Sequence, residues 1–95
     1  MFKDLDPILH SPLRLAVVSF LITKEEAEFT ELKEVTKATA GNLSVQISKL
    51  EAAEYITVTK GYKGKRPQTS CKITPKGKAA FQGYVRSLES YIKPS

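Results

Sequence analysis

Gly41-Asn42-Leu43-Ser44-Val45-Gln46-Ile47-Ser48-Lys49-Leu50-Glu51 is the stretch on which the fold turns. Leu43, Ile47 and Leu50 recur at i, i+4 and i+7, which predicts a helix over 40–53 with these three side chains inward. At 100° per residue, Gly41, Asn42, Val45, Ser48, Lys49 and Ala52 fall on the opposite side, with Ser44 and Gln46 on its flanks. That outer face has no acidic residue until Glu51. A face kept only for solubility is normally rich in Lys and Glu. This one is short, polar and smooth, which suits entry into a groove. An ordinary amphipathic helix is the competing account.

Immediately upstream, Thr39 has the form of an N-cap for that helix. Phe29-Thr30 precedes a second, shorter helix expected over Glu31 to Ala38, with Thr30 as its cap and Glu31 in the first turn, where the helix dipole favours an acid. Leu32 and Val35 would be its buried side. Two short helices meeting at Ala38–Thr39 make a helix-turn-helix. Lys24 to Glu28 reads as a charged connection. Before it, Ser11-Pro12 reads as a cap followed by proline at the first helical position. Leu13, Ala16, Val17, Phe20 and Leu21 then form a stripe for burial. His10, isolated from any other histidine or cysteine, reads as a surface or capping residue.

Downstream, Tyr55 to Lys60 and Thr69 to Thr74 alternate as strands. Ile56 and Val58 share one side, as do Cys71 and Ile73, so Cys71 is expected to be a small buried hydrophobe. Between them, Gly61 to Gln68 carries two glycines, a proline and three basic residues, and is expected to be a long projecting loop. Thr74-Pro75 repeats the cap-then-proline start. The last helix, expected over 75–92, bears Phe81, Tyr84, Val85, Leu88, Tyr91 and Ile92 on one stripe. That stripe is large for a 95-residue chain. Its far end is expected to be a homodimer contact.

The formal net charge of +5 is unevenly spread. Residues 1–59 hold six Lys/Arg and nine Asp/Glu, whereas residues 60–95 hold nine Lys/Arg and the single acid Glu89. Such a basic block repels itself unless an anion lies nearby. Nucleic acid, an anionic membrane surface and a solvated face all fit it. No apolar run reaches membrane-spanning length, Leu15 to Ile22 being only eight residues. Nor does the N-terminus, with Asp4 and Asp6, have the basic leader of a secretory signal. One cysteine and one histidine make neither a disulfide nor a Cys/His metal site within a chain. There is no acid/base pair in an apolar setting, no activated nucleophile and no phosphate-binding glycine loop. Gly61-x-x-Gly64 lacks the Gly-Lys-Ser/Thr end of one. The expectation is a non-enzyme without cofactor or metal, acting in the cytoplasm.

The order of elements, helix-turn-helix then a two-stranded basic hairpin, is the layout of a winged helix, an α+β fold of mainly α content spanning 1–95 as one domain. Its hairpin would occupy about 55–74. The sequence resembles the stand-alone winged-helix domains related to MarR- and ArsR-type transcriptional regulators of bacteria and archaea. Leu9-His10-Ser11-Pro12-Leu13-Arg14-Leu15, the 41–51 stretch, Glu54-Tyr55-Ile56, and Lys72-Ile73-Thr74-Pro75-Lys76-Gly77 carry the resemblance. It implies a dimeric DNA-binding regulator, with the third helix in the major groove and the wing along or in the minor groove. The chain departs from ArsR-type metal sensors in having Leu32-Lys33-Glu34-Val35 where they bear a Cys-x-Cys pair, and no histidine on the last helix. It also has only one helix after the hairpin, fewer than the larger MarR-type proteins use to build a ligand pocket.

Base reading would fall to Asn42, Ser44, Val45, Gln46 and Ser48, since Asn or Gln can pair with adenine and Val45 can touch a thymine methyl. The third helix carries no Arg on this face, so no strong guanine preference is expected of it. Lys49, Lys60, Lys63, Lys65 and Arg66 would meet phosphates or a narrow minor groove, with Arg66 the candidate for insertion. Thr30 and Thr39, with the helix N-termini beside them, could offer N–H groups to phosphates, although capping alone also accounts for them. Few base contacts per chain favour a dimer on a two-fold double-stranded site, with half-sites about one helical turn apart. A protein-interaction module and a non-specific architectural protein are the alternative functions.

Overall fold

The computed structural model describes residues 2–93; the ends of the expected 1–95 span lie outside the described residues. Ser11 stands at the N-cap of α1 (Pro12–Lys24), although its side chain makes no capping bond. Val17, Val18 and Leu21 are the buried residues of α1, while Ala16 of the expected stripe is exposed. The helix therefore turns Val18, rather than Ala16, toward the core. Leu9 is also fully buried, in a turn whose backbone N–H groups at Ile8 and Leu9 donate to Asp6 Oδ1 at 2.8 and 3.4 Å.

The charged connection contains a strand, β1 (Glu26–Glu28). Ala27 faces the core and the two glutamates face away, a pattern too short to register as periodicity. α2 (Phe29–Thr36) starts two residues before the expected helix, with Glu28 at the N-cap. Thr30 consequently lies inside the first turn and is not the cap. Leu32 is buried, but Val35 is exposed, because α2 packs through one side chain per turn over its short length. The helix stops at Lys37, whose φ of 57° is left-handed.

α3 (Ala40–Ala52) begins at Thr39, whose hydroxyl accepts a hydrogen bond from Asn42 N at 3.2 Å. Leu43, Ile47 and Leu50 are its buried residues, as the spacing predicts. It ends in a Schellman motif: Tyr55 N donates to Leu50 O, Glu54 N to Glu51 O, and Glu54 has a φ of 65°. This closure aims the chain into the hairpin of β2 (Ile56–Lys63) and β3 (Arg66–Ile73). With β1 they form an antiparallel sheet in the order β1-β3-β2.

The hairpin differs from expectation. Pairing continues out to Lys63 opposite Arg66, leaving only Gly64 and Lys65 to turn the chain. Gly64 has a φ of 66° and Lys65 does not have a positive one, the pattern of a type II′ turn. The presumed long loop is thus mostly ladder, extended and exposed from Thr59 to Pro67.

α4 (Pro75–Ile92) starts where the Thr74 hydroxyl accepts from Gly77 N at 2.9 Å and donates to Glu54 O at 2.7 Å. Thr74 N also donates to Tyr55 O, so the helix start is tied to the entry of the hairpin. The core lies among α1, α2, α3 and the inner face of the sheet, with Tyr84 of α4 closing one side. Cys71 is fully buried within it, as expected. The molecule is elongated, 56 × 25 × 21 Å.

Candidate nucleic-acid interface

Burial of Leu43, Ile47 and Leu50 sets the phase of α3, and the rest of the helix follows. Asn42, Ser44, Val45, Ser48 and Lys49 are exposed, and Gln46 is half-buried. Gly41, Ser44, Val45, Ser48, Lys49 and Ala52 surround a shallow depression along this face. Small side chains leave the backbone cylinder accessible, which is what close approach to a groove requires.

The wing stands beside it. Cross-strand partners share a face of the sheet. Ile56 with Ile73 and Val58 with Cys71 face the core, and the same face continues outward through Lys60 with Thr69 and Tyr62 with Pro67. Lys60 and Thr69 therefore line a cleft shared with Ser44, Ile47, Ser48 and Glu51 of α3. Lys63 and Arg66 pair on the opposite face, and Lys65 sits in the turn. The basic residues that the sequence groups together are thus divided: Lys60 beside α3, Lys65 at the tip, Lys63 and Arg66 on the far side. All of them are exposed.

Thr39 stands exposed at the start of α3 with its hydroxyl occupied by capping, and Thr30 is exposed one residue into α2. Two residues not anticipated in the sequence join the site. Tyr62 is 76% exposed on the Lys60 face of the wing, an aromatic ring with no core to pack on. Its signal was visible in the sequence, a lone aromatic within a run of Gly and Lys. Arg14, from α1, donates through Nη1 to Gln46 Oε1 at 2.5 Å. Gln46 Nε2 in turn donates to Asn42 Oδ1 at 3.1 Å. α3 itself carries no Arg, but α1 delivers one to its flank.

The stripe on α4 is split. Tyr84 is buried, and its hydroxyl lies 3.1 Å from His10 Nδ1 in a hydrogen bond, so it belongs to the core and not to a surface. His10, exposed, is held by that bond. Phe81 is half-buried against the core. Val85, Leu88, Tyr91 and Ile92 are exposed, Ile92 by 68%. Tyr91 stacks on Phe2 with ring centroids 4.8 Å apart and donates from its hydroxyl to Lys3 O at 3.2 Å.

Two groups have displaced titrations. Burial, with a smaller contribution from Glu51, pushes the Cys71 thiol up to about 11, leaving a packed thiol that does not ionise at neutral pH. Burial and a hydrogen bond to Asp6 raise Tyr55 to about 12. Among the described residues no cluster of three His, Cys, Asp or Glu side chains is placed to hold a metal, and no helix is long and apolar enough to cross a membrane.

A family model for the winged helix DNA-binding domain matches residues 13–92, from the start of α1 to the end of α4. The chain belongs to the winged helix DNA-binding domain family. It is 36% identical over 81 residues to an uncharacterized protein of Methanocaldococcus jannaschii, covering 85% of this chain and 88% of that one. A transcriptional regulator homologue from Pyrococcus horikoshii superposes with a TM-score of 0.83 at 32% identity, covering 90% of this chain and 84% of that one. Bordetella bronchiseptica BpsR, whose DNA binding is regulated by 6-hydroxynicotinic acid, shares the fold with a TM-score of 0.76 at 16% identity, over 94% of this chain and 67% of that one. The neighbours of this winged helix in fold are MarR-family regulators, in agreement with the resemblance read from its motifs.

Proposed function

We propose that this winged helix is a sequence-specific, double-stranded-DNA-binding transcriptional regulator of the cytoplasm that acts as a homodimer. α3 enters the major groove, where Asn42, Ser44, Val45, Gln46 and Ser48 meet base edges. Lys49, Lys60, Lys63, Lys65 and Arg66 grip phosphates or the minor groove, with Thr30 and Thr39 beside the phosphates at the starts of α2 and α3. The observation that carries this reading is the adjacency of two unlike surfaces. A smooth face of short side chains, with only Lys49 charged, lies directly beside the exposed outer hairpin, Thr59 to Pro67, which bears four cations and no acid. Positioning by charge and reading by short polar groups are the two tasks that protein–DNA interfaces divide.

The test is a salt titration of binding by fluorescence anisotropy, on random and genomic duplexes. If six phosphates are neutralised per dimer, log K falls against log salt with a slope of about −5. Changing Lys63, Lys65 and Arg66 together to Ala is expected to flatten the slope and weaken all duplexes alike. Gln46→Ala is expected instead to alter which sequence is preferred. A triple variant with unchanged affinity and slope removes the wing from the interface, and no measurable DNA binding by the wild type favours a protein-interaction module.

A further inference from the structure

Arginine carries five N–H donors and no acceptor. The Gln46 atom 2.5 Å from Arg14 Nη1 is therefore the amide oxygen, which settles which end of that amide is which. Gln46 Nε2 donates one of its hydrogens to Asn42 Oδ1. Each amide oxygen is met by one donor, and the donors of the pair that remain unengaged are the second N–H of Gln46 and the amino group of Asn42. Arg14 is itself anchored, since its Nε donates to Ile8 O at 2.6 Å, in the turn that Asp6 caps. The guanidinium charge alongside further disfavours the approach of another donor.

An amide that reads adenine must turn its oxygen to the N6 amino group and its nitrogen to N7. Arg14 holds the Gln46 oxygen away from that pose. We infer that Arg14 is a positioning residue that makes Asn42 and Gln46 a donor pair, matched to guanine N7 and O6 or thymine O4 and mismatched to adenine. The inference rests on α3 reading bases in the major groove, as proposed above.

Selection from randomised duplexes with the wild type, Gln46→Ala, Arg14→Ala and Gln46→Glu tests it. The base position whose preference Gln46→Ala flattens is the one the pair reads. There the wild type is expected to take guanine or thymine over adenine by about fivefold or more. Arg14→Ala is expected to swing that position toward adenine. Damage to the fold would weaken every duplex without changing the base chosen, so base identity separates positioning from a structural role. Gln46→Glu keeps a partner for Arg14 but has no donor, and is expected to shift the preference to cytosine, whose N4 amino group donates. It decides the matter if Arg14→Ala does not fold. Adenine at that position in the wild-type selection, or the same base chosen by wild type and Arg14→Ala, overturns the inference and leaves sequence-specific binding standing. A pool that yields no consensus overturns the sequence-specific reading, and the inference with it.

Discussion

Gly77 occupies the third position of α4, where a Cβ would meet the Tyr55 carbonyl oxygen at 2.2 Å. That oxygen is backbone and already accepts from Thr74 N, so it cannot step aside without loosening the joint between hairpin and helix. The Thr74-Pro75-Lys76-Gly77 sequence thus has a physical reading at each anchoring position: a cap, a proline whose missing N–H costs nothing, and a glycine that lets two backbones touch. Gly77→Ala is expected to destabilise by about 2 kcal/mol, lowering the melting temperature by roughly 10 °C. Gly83 in the same helix has nothing within 4 Å of its missing Cβ. Gly83→Ala is therefore expected to raise stability by about 0.5–1 kcal/mol, through helix propensity alone. Thermal melts of the two variants should move in opposite directions, and a Gly77→Ala melt at or above wild type would show that the contact yields.

At the scale of elements, the entry to the hairpin is tied to the N-terminal segment by the Tyr55 hydroxyl, which donates to Asp6 Oδ2 at 2.5 Å. With Tyr55 raised to about 12 from 10, the unfolded chain loses this proton at a lower pH than the native one. Between pH 10 and 12 the native state binds more protons, so stability falls as pH rises through that window. Urea unfolding from pH 8 to 11.5 is expected to show a shallower loss for Tyr55→Phe than for wild type. Equal slopes would mean that the bond does not hold the proton in solution. The same scale separates what could be read in the sequence from what could not. α3 was legible because three buried side chains fix the rotation of a helix, and its outer face follows by geometry. The outer hairpin was not, since Gly61 to Gln68 pairs through its backbone while its side chains show no apolar alternation. β1 escaped because three residues carry no period. Arg14 lies 32 residues from Gln46, and only the packing of α1 on α3 brings them together. Periodicity reports which side of an element is buried, and says nothing of which neighbour reaches its edge.

The whole molecule leaves a specific part of itself uncovered. Tyr84 and Phe81 spend the near half of the α4 stripe on the chain's own core. Beyond them, Val85, Leu88 and Ile92 continue the stripe at helical spacing with no core beneath, while Tyr91 and Phe2 add two stacked rings at the same end. Scattered apolar residues need no explanation on a protein surface, but a contiguous row on one helix, extended by an aromatic pair, fits the dimer contact proposed above. A second copy of the chain suits it, because a row along a helix is self-complementary about a two-fold axis. Such an axis would also set two α3 helices on one duplex, doubling the few base contacts that a single chain can make. Leu88→Glu with Ile92→Glu is expected to convert a dimer to a monomer in sedimentation equilibrium, with the thermal melt of the monomer staying cooperative because Tyr84 and the core are untouched. Binding to a two-fold operator is expected to drop by more than tenfold, while the salt slope falls to about half, since each chain then brings only its own wing to the phosphates. A wild-type protein that sediments at the mass of one chain, or a double variant that still binds the operator at full affinity, would place the α4 row outside any dimer contact.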